Sequence, residues 1–124
     1  INISFKNPKK IVSADRWINQ KSFKGYGIIK FLSNFMFQKL LKFFFDYKIL
    51  DFTFAYRIYP KSALKGYKIK ELRHGFALEI LLVPIKKGFE IITTSAKWRK
   101  RVEGNSSITI NSYISYLKVL WRNI

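Results

Sequence analysis

Seven carboxylates, one histidine and no cysteine set the limits of the chemistry open to this chain. Thiol catalysis, disulfide frameworks and Cys-based zinc sites are excluded. His74 stands alone between Arg73 and Gly75, outside any Ser/His/Asp arrangement, and reads as a surface-loop residue. No Asp-x-Asp pair, Gly-rich phosphate loop or EF-hand spacing occurs. Two carboxylates, Asp51 and Glu79, fall in mostly apolar surroundings. A carboxylate there must be paired or hydrogen-bonded to stay ionised. Each is therefore either salt-bridged to an arginine such as Arg57 or a polar group facing a substrate pocket. A second kind of chemistry is anion recognition. Arg99, Lys100 and Arg101 precede Gly104-Asn105-Ser106-Ser107, a stretch able to open a helix. Guanidinium groups, backbone N–H groups and the positive end of a helix dipole would converge there. A solvated basic turn is the alternative.

The whole chain is biased toward anionic partners. Its 24 Lys+Arg against 7 Asp+Glu give +17 over 124 residues, enough for one domain or part of one. Lysine dominates that excess, and Ile, Phe and Asn are also plentiful, the set that A/T-rich codons supply, so charge alone names no ligand. A composition 48% hydrophobic and 25% charged is that of a globular chain and not a disordered tail. No run of about 18 uninterrupted apolar residues is present to span a bilayer. The first residue is Ile1, with no signal-peptide pattern after it, which points to a piece of a longer protein.

The elements that must position these groups alternate between strand and helix, so the predicted class is α/β or α+β. Lys10 to Ala14 reads as a short buried strand ending at Asp15-Arg16-Trp17, followed by a turn at Gly25-Tyr26-Gly27. Ile28 to Asp46 is the clearest helix, with polar residues at Lys30, Asn34, Gln38, Lys42 and Asp46 and apolar ones around most of its circumference. It is either a core helix or one lying at a membrane surface, lysines on headgroup phosphates and phenylalanines in the acyl boundary. Asp51 to Arg57 is β-rich, and a short helix is expected from Pro60 to near Gly66. Phe76 to Lys87 reads as a helix bent at Pro84 and capped by Gly88. Phe89 to Thr94 alternates as a strand, Lys97 to Gly104 is a basic loop, and Ile108 to Arg122 is a final amphipathic helix.

The order of the residues carries a resemblance. Asp51-x-Thr53-x-x-Tyr56-Arg57 is followed by Gly75-Phe76-x-x-Glu79, then Lys87-Gly88-Phe89-x-Ile91, then Trp98-x-x-Arg101-x-x-Gly104-x-Ser106. This resembles the C-terminal half of a family 2 glycosyltransferase of the polyprenyl-phosphate, dolichyl-phosphate mannosyltransferase-like branch. That family has Asp-x-Thr-Ser-Gly-Phe-Arg, Gly-Phe…Glu, a Lys-x-Gly-Tyr-x-Ile strand and Arg-x-x-Gly-x-Ser in the same order. Ser13-Ala14-Asp15-Arg16 is similar to its Gly-Ser-Arg strand end, and Lys30-x-x-Ser33-Asn34 to the start of the next helix. The similarity covers about residues 10–122. Phe54 and Ala55 stand where the family has Ser and Gly, and Ser107 where it often has Lys.

The resemblance implies the acceptor-side half of a GT-A-like domain, the nucleotide-binding half and its Asp-x-Asp preceding Ile1. It implies transfer of a sugar from a nucleotide sugar to a polyprenyl phosphate at the cytoplasmic face of the membrane, by a peripheral protein attracted to an anionic surface. The divalent cation, Mg or Mn, would be held by ligands outside this chain, which alone would be inactive. Arg16, Lys30, Ser33, Arg101 and Ser106 would surround the acceptor phosphate. Asp51 and Arg57 would floor the sugar pocket, and Glu79 would hold the polar network beside it. A small basic RNA- or DNA-binding protein is the alternative. Charge favours it, but no RNP, KH or helix-turn-helix signature is present and the phenylalanines follow a buried-helix period.

Overall fold

A computed structural model describes residues 2–19, 23, 25, 27–97 and 110–124. In chain order the elements are α1 (Asn2–Lys6), β1 (Ile11–Asp15), α2 (Ile28–Phe44), β2 (Arg57–Ile58), α3 (Phe76–Lys86), β3 (Ile91–Ser95) and α4 (Ile110–Asn123). The class is mixed α/β, built on a three-stranded sheet of order β2-β1-β3. β1 runs parallel to β3, pairing Ile11 with Ile91 through Asp15 with Ser95, and antiparallel to β2, pairing Val12 with Ile58. All five residues of β1 are buried. Successive side chains of a strand point to opposite faces, so both faces of this central strand are covered.

Two expected elements differ. Residues 60–66 form consecutive turns, not a helix. Ala63 N–H donates to Pro60 at 2.9 Å, Lys65 to Ser62 at 3.3 Å and Tyr67 to Leu64 at 3.1 Å, each spanning three residues. Gly66, at φ +74°, closes the run in the left-handed region. The β-rich stretch from Asp51 contributes only Arg57–Ile58 to the sheet. Its backbone is diverted by side chains: Asp51 Oδ1 accepts the Phe54 N–H at 3.1 Å and Gln38 Oε1 accepts the Phe52 N–H at 2.8 Å. The short α1 has no counterpart among the expected elements.

α3 is the centre of the molecule. Every residue from Ala77 to Ile85 is buried, and Leu78, Leu81, Leu82 and Ile85 join Leu41 of α2, Phe45, Ile49 and Phe52 after it, and Val119 and Leu120 of α4 in one core. The helix continues through Pro84, whose missing N–H falls opposite the Ile80 carbonyl in the last turn. Gly88, at φ +84°, then ends it, donating to the Ile85 carbonyl at 2.8 Å. The start of α3 is pressed against α4. A Cβ on Gly75 would lie 2.7 Å from Ser115 Oγ and 2.9 Å from Val119 Cγ2, so any larger residue there would force the α4 side chains to move.

α2 is used in the opposite sense. Only Gln38 and Leu41 are buried, while Ile28, Ile29, Leu32, Met36 and Phe43 are 53–82% exposed. The polar residues spaced by four therefore split. Gln38, with Asn34 bonded to it, turns toward the loop of Asp51 to Thr53, and the apolar ridge stays exposed. Among the described residues no helix is long and apolar enough to cross a membrane.

Candidate functional site

The site is built where the end of β1 meets the inner face of α2. Arg16 follows β1 directly and Asp51 lies 35 residues later, yet the two form a buried bidentate pair. Arg16 Nε donates to Asp51 Oδ2 at 2.6 Å and Nη2 to Oδ1 at 2.9 Å, with the arginine 6% exposed and the carboxylate fully covered. The Arg16 guanidinium also stacks over the Phe54 ring at 4.6 Å. The partner of Asp51 is thus Arg16, not Arg57. Fork-to-fork geometry fixes orientation as well as charge.

Gln38 carries the pair to α2. Its amide nitrogen donates to Thr53 Oγ1 and Asn34 Oδ1, both at 2.9 Å, and lies 3.4 Å from Asp51 Oδ1. Its carbonyl takes the Phe52 N–H. One buried side chain therefore ties the helix to the loop that holds Asp51. Asp15, at the end of β1, accepts the backbone N–H groups of Trp17 at 2.8 Å and Leu50 at 3.0 Å. Burial pushes the Asp15 carboxyl above its usual range, and those two N–H groups pull it partly back.

Arg57 and Glu79 are spent elsewhere. The Arg57 guanidinium donates to Ser13 Oγ at 3.0 Å and to the carbonyls of Ala77, Asp51 and Phe52 at 2.8–3.0 Å. It clamps β1, α3 and the Asp51 loop together, and burial lowers its pKa. Glu79, inside α3, accepts from the Tyr67 hydroxyl at 2.6 Å and from the backbone N–H groups of Lys70 and Glu71, the latter at 2.7 Å. Desolvation, with the Glu79 carboxylate next, pushes Tyr67 up to about 12. Asp51, Arg57 and Glu79 each hold a segment of backbone, and the first alone joins Arg16.

Beside the pair lies a small cavity of about 80 Å³, lined by Arg16, Lys30, Asn34, Phe37, Thr53, Tyr113 and Tyr116. Arg16 and Lys30, 14 positions apart in sequence, meet on its wall. Its mixed lining carries polar groups on Arg16, Lys30, Asn34 and Thr53, and its size suits a few waters or one small anion. Ser33 is half-buried on α2 and is not on this wall. Arg101 and Ser106, with Trp98 to Ser107 around them, lie outside the described residues. Sequence reasoning passed over Gln38, Asn34, Thr53 and the two tyrosines of α4 as site residues. The four-residue spacing of Asn34 and Gln38 was the available signal.

Among the described residues no three or more His, Cys, Asp or Glu side chains gather into a cation site. Asp51 and Glu79 accept from separate sets of donors, Arg16 for the first and Tyr67 with two backbone N–H groups for the second. Comparison with protein-family models, with curated proteins and with solved structures finds no match to this chain.

Proposed function

We propose that this chain is the acceptor-side part of an enzyme that transfers a sugar from a nucleotide sugar to a lipid-linked phosphate at an anionic membrane surface. The observation that carries the proposal is the division of α2. Its outer face offers Ile28, Ile29, Leu32, Met36 and Phe43 to the surroundings, and its inner flank brings Lys30 to the cavity of Arg16. A helix with that division can lie in the headgroup region while its inner flank receives a phosphate. The resemblance of Asp51-x-Thr53-x-x-Tyr56-Arg57 and the segments after it to the polyprenyl-phosphate branch of family 2 glycosyltransferases supplies the reaction, and with it the GT-A-like architecture and the cytoplasmic membrane face.

The chemistry asked of these residues is modest. A phosphate monoester oxygen is already an anionic nucleophile near neutral pH, so a general base is not needed. Positioning and charge stabilisation carry the rate. Asp51 holds the Arg16 guanidinium in one orientation, and Lys30 adds a second positive charge on the same wall. In the parent enzyme Arg101 and Ser106 would complete the phosphate site, and Mg or Mn held by the other half would carry the nucleotide sugar.

Co-sedimentation with vesicles tests this. Neutral vesicles, vesicles with phosphatidylglycerol, and vesicles matched in charge by polyprenyl phosphate are compared at low and high salt. Each Lys or Arg near an anionic surface contributes about 1 kcal/mol, which salt screens. The expected order is polyprenyl phosphate over phosphatidylglycerol over neutral lipid, with Lys30→Ala narrowing the first gap. Equal retention on all three, or tighter binding to RNA than to any vesicle, would sink the proposal.

A further inference from the structure

A second and larger cavity, about 410 Å³, opens on a different flank of α2 and shares no lining residue with the Arg16–Lys30 cavity. Its wall is mostly aromatic. The Trp17 ring sits 4.4 Å from Phe23, 5.2 Å from Phe31 and 5.7 Å from Phe35, centroid to centroid. Ile49 and Leu50 close another side, and Lys39 and Lys42 stand at the exposed rim. Lys39 Nζ lies over the Phe35 ring at 5.4 Å. Neither lysine forms an ion pair among the described residues.

The polar groups in this wall are few, and their state defines the ligand. Gln38 lines the cavity, but its amide is consumed by Asn34, Thr53 and Phe52. The Trp17 indole Nε1–H is covered, with no hydrogen-bond partner among the described residues. A nucleobase or a sugar would bring several donors and acceptors that this wall cannot answer. An alkyl chain brings none, and its burial against rings is favourable. The two rim lysines call for a head group bearing negative charge.

We propose that this cavity binds a single alkyl chain with an anionic head group, the chain lying against Trp17, Phe31 and Phe35 and the head held by Lys39 and Lys42. The volume falls in the range of small-molecule sites. The site is independent of the acceptor-phosphate cavity, so failure of the vesicle experiment leaves it standing.

Laurate and dodecyl phosphate, both below their micellar concentrations, are the probes, with dodecanol as the neutral chain and acetate as the bare head. Titration calorimetry gives affinities, and tryptophan emission locates the site. At least one of the two anionic amphiphiles should bind tenfold or more tighter than dodecanol, and acetate should not bind. Which of them is tighter separates a carboxylate source from a phosphate source. In the Lys39→Ala, Lys42→Ala double variant, both substitutions being at exposed positions, the preference over dodecanol should shrink to less than threefold while dodecanol affinity holds. In Trp17→Phe the ligand-dependent emission change should disappear, although the tryptophans at positions 98 and 121 remain. A preference that survives the double variant, or an emission change that survives Trp17→Phe, would place the amphiphile elsewhere and overturn the proposal.

Discussion

α2 and α3 are both rich in apolar side chains, but the fold spends them in opposite ways. From Ala77 to Ile85 α3 is covered on every side, and its one acidic residue, Glu79, is answered by Tyr67 and two backbone N–H groups. α2 instead buries Gln38 and leaves Met36 70% and Phe43 82% exposed. A helix buried all round gains from every apolar residue, at roughly 25 cal/mol per Å² removed from water. A helix with one covered face gives that face to whatever the neighbouring loop requires. Here the loop requires partners for the Phe52 N–H and Thr53 Oγ1, and glutamine supplies both. Specific polar anchoring has decided which way α2 turns, and its apolar ridge is left exposed.

The sharpest way to break the contrast is to remove the anchor beneath α2. Asp51→Ala leaves the Arg16 guanidinium buried without its carboxylate. Breaking a buried pair from one side costs about 3–5 kcal/mol. Urea unfolding followed by circular dichroism should show a loss of that size. A loss below about 1 kcal/mol would mean that Arg16 reaches solvent and that the pair does not hold the loop. Next in size is the centre of α3. Leu82→Ala, at a fully buried position, should cost about 2–5 kcal/mol by lost transfer energy and the cavity it leaves. Gly75→Ala should cost about 1–3 kcal/mol, because its methyl meets Ser115 and Val119 inside van der Waals distance. If Gly75→Ala proved neutral, α3 and α4 would be less closely seated than their contact implies.

The same contrast explains what was legible in the sequence. The central strand, α2, α3 and the Gly88 stop were readable because each has a local cause: a short apolar run, a helical period, a glycine in the left-handed region. The turns from Pro60 were not, because their three-residue backbone bonds start from the same Pro signal that opens a helix. The two-residue β2 was not, because the stretch before it is held by Gln38, a distant side chain. The Asp51–Arg16 pair spans 35 positions, and no local pattern distinguishes Arg16 from Arg57 as the partner. Periodicity showed that α2 has two faces. It did not show which one the protein would cover, since that turned on Gln38 and a backbone N–H fourteen residues away.

A smaller effect should come from pH. Asp15 is raised from its usual 3.8 chiefly by burial. A carboxyl raised on folding holds its proton longer in the native state than in the unfolded chain. Its contribution to stability is therefore full below pH 3.8 and is lost as pH rises through the folded value. Asp15→Asn keeps an oxygen acceptor for the Trp17 N–H and cannot ionise. The difference in stability between Asp15→Asn and the unmodified chain should move in favour of the variant as pH climbs out of that window. Urea midpoints taken at intervals from pH 4 upward check the slope. A difference independent of pH would remove the titration of Asp15 from the account.

The smallest change in stability should follow substitution of the outer face, and its consequences should be seen elsewhere. Met36→Gln and Phe43→Gln replace side chains that already stand in solvent, with a residue that keeps helix propensity. Each should shift unfolding by no more than about 0.5 kcal/mol. If either cost as much as Leu82→Ala, the ridge would be part of the core and the contrast between the two helices would fail. On the proposed membrane reading, binding to anionic vesicles should have two parts that these variants separate. Attraction by Lys30, Lys39 and Lys42 is screened by salt, whereas transfer of the ridge into the acyl boundary is not. The paired glutamine substitutions should therefore abolish the fraction that stays bound at high salt and spare much of the low-salt binding. Lys39→Ala should do the reverse. A ridge variant that released the protein only at low salt would mean that the apolar face of α2 does not enter the lipid, and that charge alone brings the chain to its surface.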